Sequence, residues 1–97
     1  MDFRIIKSPS QGTKDILKRR MGPNSRTDVE SIDAIGLVQG KFIEMVYASD
    51  IAEKAVGVTV EDIRGNCPQH MLLIGIFGDT ASVESAINEI KLKMKEG

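Results

Sequence analysis

The sequence predicts an α+β fold: a ferredoxin-like plan of four strands and three helices in one domain, residues 1–97. Three observations predict it. Apolar periodicity switches along the chain between the two-residue repeat of strands and helical spacing, in the order β-α-β-α-β-β-α. Residues 31–90 alone read β-α-β-β-α, most of a ferredoxin-like split unit. That unit wants one more strand, and Phe3 to Lys7 is the only candidate for it. No internal repeat or low-complexity run interrupts the plan.

Each element has its own signals. Phe3 to Lys7, with Ile5-Ile6, reads as a short strand ended by Ser8-Pro9-Ser10-Gln11-Gly12. Thr13 is the expected cap of a helix through Arg20, stopped by Gly22-Pro23. Lys18-Arg19-Arg20 suits the negative end of that helix dipole. Without an aromatic or Gly-rich partner, the cluster reads as a solvated helix end rather than a phosphate site. Residues 23–30 are polar and read as a linker. Ser31 to Val38 is the second strand, with Ile32, Ala34, Gly36 and Val38 on one face and Ile35 and Leu37 on the other. Gln39-Gly40 is the expected turn. Phe42 to Val56 reads as a helix whose stripe is Ile43, Val46, Tyr47, Ile51 and Ala55, with Ala48, Ala52 and Ala55 small enough for close packing on a sheet.

Val58 to Arg64 is the third strand and His70 to Phe77 the fourth. Leu72, Ile74 and Ile76 alternate there with Met71, Leu73 and Phe77, so both faces need covering by helices or by a neighbouring subunit. Gly78-Asp79-Thr80 turns into the last helix, whose buried stripe is Val83, Ala86, Ile87, Ile90 and Met94. The glycines of Gly75 to Asp79 serve this turn more simply than an anion site.

Composition excludes several function classes. Net charge is −1, with acids and bases interspersed, whereas phosphate binding needs a concentrated basic surface. Trp is absent and aromatic residues are few, which argues against a base-stacking platform. No nucleic-acid partner is expected. No apolar run reaches the ~18 residues of a membrane span, so no membrane partner is expected. The start, Met1-Asp2-Phe3-Arg4, lacks the order of a secretion signal. One cysteine cannot form an internal disulfide, which fits a reducing, cytosolic compartment. A 97-residue chain buries only roughly two-thirds of its unfolded surface, so oligomerisation is expected.

One stretch concentrates the unusual residues. Gly65-Asn66-Cys67-Pro68-Gln69-His70 holds the only Cys and the only His, between two strands. It reads as a tight loop with exposed amides. A lone Cys beside an apolar strand is most often a small buried hydrophobe. Cys67 and His70 make half of a CxxH spacing, yet a zinc site needs roughly four ligands. A Cys67–His70 nucleophile pair lacks an orienting third group. No GxSxG, Walker loop, HExxH or GxGxxG occurs, and an enzyme is not expected.

Three further segments carry a family resemblance. Ala34-Ile35-Gly36-Leu37-Val38 resembles the first strand of the bacterial microcompartment shell proteins, the BMC-domain family. Ala48-Ser49-Asp50-Ile51-Ala52-Glu53-Lys54-Ala55 resembles that family's first helix, with its Ala-Asp-x-x-x-Lys-Ala pattern. Ile76 to Ala86 resembles its Gly-Asp-x-x-x-Val-x-x-Ala helix entry. Phe3 to Pro9 and Thr13 to Met21 resemble the family's last strand and helix moved to the front, as in its circularly permuted subgroup. The resemblance implies a four-stranded antiparallel sheet and flat homo-hexamers tiling with other shell proteins in a microcompartment shell in the cytoplasm. Only Met1-Asp2 precede Phe3, so the extra N-terminal strand of some permuted members is not expected.

The resemblance also assigns residues. It makes Gly65, Asn66, Cys67, Pro68 and Gln69 the pore loop and Lys54 the hexamer-edge lysine. The family's edge Arg is Ser8 here, a departure from the tiling pattern. The Gly-x-Cys-Pro run resembles permuted shell proteins of glycyl-radical propanediol microcompartments, in which that Cys is associated with an iron–sulfur cluster. This implies a cluster, of 4Fe-4S type, shared by several subunits through Cys67, for electron transfer or redox sensing. A cubane is normally held by about four thiolates. Sixfold symmetry would gather enough sulfurs, three from alternate subunits holding three irons, with Asn66 and Gln69 bonding cluster sulfurs. Two other readings stay open: a tile with an empty, metabolite-conducting pore, and a small ferredoxin-like regulatory module with a structural Cys67.

Overall fold

The computed structural model describes residues 1–22, 25–64 and 71–96. Its elements run β1 (Asp2–Lys7), α1 (Gln11–Met21), a 3-10 turn (Val29–Ser31), β2 (Ala34–Lys41), α2 (Phe42–Glu53), β3 (Val58–Ile63), β4 (Met71–Gly78) and α3 (Thr80–Glu96). The strands form one sheet in the order β1-β2-β4-β3. All three pairings are antiparallel. The expected α+β architecture is therefore present, with the N-terminal strand at a sheet edge beside β2.

Strand alternation sends side chains to two separate cores. Ala34 and Val38 of β2 and Ile74 and Ile76 of β4 meet Met45, Ala48 and Ala52 of α2 and Val83, Ala86, Ile87 and Ile90 of α3. Ile35 of β2, Ile63 of β3 and Phe77 of β4 meet Leu17 and Met21 of α1 and Val29 of the 3-10 turn. Helices of the same chain thus cover both faces of β4. The face assignments made for β4 and α3 hold, as do those of Ala34, Ile35, Leu37 and Val38 in β2. Ile32 is corrected, because it precedes the strand as the C-cap of the 3-10 turn and packs in the second core with Ile35 and Phe77 rather than with Ala34 and Val38.

Four local expectations are corrected. Gln39-Gly40 is no turn: both residues stay in β2, opposite Leu73 and Leu72. The chain passes from strand to helix at Lys41, whose N–H donates to Glu44 Oε1 at 3.0 Å. The cap of α1 is Ser10, not Thr13; the Thr13 N–H donates to Ser10 Oγ at 3.2 Å. The linker contains the 3-10 turn, whose Val29 is 3% exposed, because the second face of the sheet needs its apolar cover. The stripe of α2 is wrong in part. Met45, Ala48, Ile51 and Ala52 face inward, while Ile43, Val46 and Tyr47 point to solvent. A helix apolar on every side carries no periodic signal for its inner face.

Polar contacts fasten α1 to the 3-10 turn. Glu30 accepts from Lys18 Nζ and, at 2.9 Å, from Gln11 Nε2. Lys14 Nζ donates to the Glu30 carbonyl at 3.1 Å. The Lys18 ammonium, with help from Gln11, holds the Glu30 carboxyl below its ordinary range, and Glu30 raises Lys18 in return. These groups are exposed, so they orient α1 more than they stabilise it.

Candidate functional site

The assigned pore loop, Gly65, Asn66, Cys67, Pro68 and Gln69, lies outside the described residues, as does His70. The structure defines its two stems. Ile63, the last residue of β3, pairs with Leu73 of β4. Met71 and Leu72 pair on their other side with Lys41 and Gly40 of β2. The cysteine-bearing segment therefore joins β3 to β4 at the end of the sheet where β2 passes into α2.

The entry stem is bound from outside the sheet. The Arg64 N–H donates to the Arg20 carbonyl in the last turn of α1 at 3.0 Å. Three residues back, in β3, the Glu61 carboxylate accepts from the Arg26 N–H at 3.1 Å and from Thr27 Oγ1 at 2.7 Å. The Thr27 and Thr59 hydroxyls bond each other at 2.9 Å. Sequence reasoning missed this strap, because its partners stand more than thirty positions apart.

Lys54 is the C-cap of α2. Its Nζ lies 2.8 Å from Oδ2 of Asp50, one helical turn back. The hydrogen bond and charge of Asp50 raise the Lys54 pKa above the ordinary lysine value. The lysine side chain remains 76% exposed, free to meet a neighbour. It borders an open groove of about 770 Å³ between the second half of α2 and α3, lined by Tyr47, Asp50, Val56, Ser85 and Lys93 among others. Ser8 has φ of +50° and donates its N–H to the Asp33 carbonyl at 2.8 Å.

A second feature went unread in the sequence. Phe42, Ile43, Val46 and Tyr47 form an outward apolar face on the first turns of α2, with Ile43 78% exposed. The run Phe42-Ile43-Glu44-Met45-Val46-Tyr47 signals it: five apolar or aromatic residues in six, more than one buried stripe can use. Among the described residues, no group of three or more His, Cys, Asp or Glu side chains could hold a metal ion. No helix among them is long and apolar enough to cross a membrane.

Solved structures resemble this arrangement over nearly its whole length. The ligand-free GrpU microcompartment shell protein from Clostridiales bacterium 1_7_47FAA is 58% identical, with 98% of this chain and 93% of that one covered and a TM-score of 0.76. The ligand-free GrpU microcompartment shell protein from Pectobacterium wasabiae is 36% identical, with 93% and 99% covered and a TM-score of 0.74. No protein-family model matches the chain, and no curated protein matches it. Identity at this level over the full fold carries the family: the chain belongs to the GrpU microcompartment shell proteins, and its place is the shell of a cytoplasmic bacterial microcompartment.

Proposed function

We propose that this chain is a structural, non-enzymatic shell tile. It is a circularly permuted BMC domain that forms cyclic hexamers, which tile with other shell proteins through an edge that includes Lys54. The observation that carries the reading is the outward face of Phe42, Ile43, Val46 and Tyr47 on a chain whose relatives build shells. Both faces of the sheet already have covers of their own. The apolar face of α2 is left for another copy. The position of β1 and α1 at the front of the chain, with β1 completing the sheet beside β2, supports the permutation.

The second part of the proposal concerns Cys67. The donor set of one chain is a single thiol, and a cubane takes about four. The group fits only if several chains share it, which is what a ring with its β3–β4 connections around the axis provides. Three Cys67 thiolates from alternate subunits would hold the cluster, and Asn66 and Gln69 would donate to its sulfurs. The bound group would supply one-electron transfer between the two sides of the shell, or a redox signal. The protein's part is to hold the thiolates at the axis.

Anaerobic reconstitution with iron and sulfide tests this reading. We expect brown hexamers with about one four-iron cluster each, lost in Cys67→Ser without loss of the hexamer. His70→Ala is expected to retain most of the iron. Colourless, iron-free hexamers would overturn the cluster and leave a tile with an empty, metabolite-conducting pore. A monomer at micromolar concentration in ultracentrifugation would overturn the tile itself.

A further inference from the structure

We propose that the last turn of α1 and the strap of residues 25–28 act as a positioning clamp on Arg64, the residue from which the chain enters the cysteine-bearing segment. The proposal rests on the reading of that segment as functional. It adds the residues that orient it.

The argument starts from the register. The β3–β4 ladder ends with Ile63 opposite Leu73, so the next rung would set Arg64 against Leu72. Leu72 is instead paired only with Gly40 of β2. At Arg64 the strand has therefore lost its partner in the sheet. A strand end in that state frays, because nothing holds its backbone. Here the missing rung is replaced from the outer edge: the Arg64 N–H donates to the Arg20 carbonyl at 3.0 Å.

Two independent features support the replacement. Gly22 caps α1 with φ of +80°, and the Arg64 guanidinium lies over it, 3.7 Å from where a β-carbon would stand. A cation there suits the negative end of the α1 dipole. Then the strap holds the preceding residues of β3, through Glu61 to the Arg26 N–H and the Thr27 hydroxyl and through Thr59 to Thr27. The two anchors flank Ile63, which is 4% exposed and packs in the α1 core. Backbone, side chain and core thus fix Arg64 from the α1 side. The N-terminal helix holds the residue at which the chain leaves β3.

The lone cysteine makes this measurable. A nitroxide on Cys67 labels one site per chain, and iron-free protein suffices, so the result is independent of whether a cluster binds. Arg64→Pro removes the N–H and leaves every rung of the ladder intact, and a strand end beyond the last rung tolerates proline. Thr27→Val removes both hydroxyl bonds at nearly constant volume. Each folded variant is expected to raise the ratio of mobile to immobile component in the Cys67 label's spectrum by roughly threefold to tenfold, the equilibrium factor one hydrogen bond is worth. Thr13→Val, at the far end of α1, is expected to leave the spectrum unchanged. A merely structural contact would lower the melting temperature and leave the label as it was. An unchanged spectrum in folded Arg64→Pro and Thr27→Val protein overturns the clamp. If Arg64→Pro does not fold, Thr27→Val decides alone.

Discussion

Gly78 and Gly57 meet backbone to backbone: a β-carbon on Gly78 would stand 2.5 Å from the Gly57 carbonyl oxygen. Gly57 itself has φ of +84°, a conformation that glycine adopts without cost. The contact closes the end of the sheet where β3 begins opposite the end of β4. Gly78→Ala is expected to cost about 1–3 kcal/mol, since backbone cannot step aside as a flexible side chain can. Urea denaturation measures it, and wild-type stability would show that the two strands separate there freely.

Asp79 follows at once and caps α3. Its Oδ1 accepts from the Ser82 N–H at 2.8 Å and its Oδ2 from the Ser82 hydroxyl at 3.0 Å. These bonds, the backbone one first, lower the Asp79 pKa. A lowered folded-state value contributes stability that is present above the unfolded pKa and lost as pH falls through the folded one. Asp79→Asn is therefore expected to flatten the decline in stability below about pH 4. Identical acid limbs for variant and wild type would remove Asp79 from the pH dependence.

The outward face of α2 should carry self-association. Burying one large apolar side chain is worth about 1.5–3 kcal/mol. Ile43→Asp is expected to weaken assembly by at least about tenfold in sedimentation experiments, with far-UV circular dichroism unchanged. A hexamer of undiminished stability would put the contact elsewhere.

Lys54 borders the groove that Tyr47 also lines. Lys54→Asp is expected to leave the hexamer intact and impair its growth into sheets, observed by electron microscopy. Normal sheets from the variant would take Lys54 out of the tiling contact.

Deleting residues 1–22 removes β1, which pairs along β2 from Ala34 to Gln39, and also Leu17 and Met21 from the second core. An uncovered sheet edge and an uncovered face both invite aggregation. Light scattering of the truncated protein should rise steeply. A soluble, folded truncation would mean that β1 contributes little to the sheet.

The sequence by itself determined most of the fold. Period-two alternation assigned Ala34 and Val38 to one face of β2 and Ile35 and Leu37 to the other, as the two cores show. Helical spacing marked Val83, Ala86, Ile87 and Ile90, all now buried. Such patterns are local, and each element repeats its signal several times. The family resemblance was legible for the same reason: the Gly78-Asp79 entry records a close approach and a helix cap, both needed at those positions. The regulatory-module reading gives way to the shell family.

Tertiary structure decided what has no period. Phe42 to Tyr47 is apolar in nearly every direction, so only packing on β2 and β4 could select Met45 for the core and leave Ile43 outside. Gln39-Gly40 looks like a turn until Leu72 and Leu73 pair with it. The bonds from Arg20 to Arg64 and from Thr27 to Glu61 join residues far apart in the chain. They exist because α1 must cover the second face of the sheet, and a helix laid on that face brings its last turn to the end of β3.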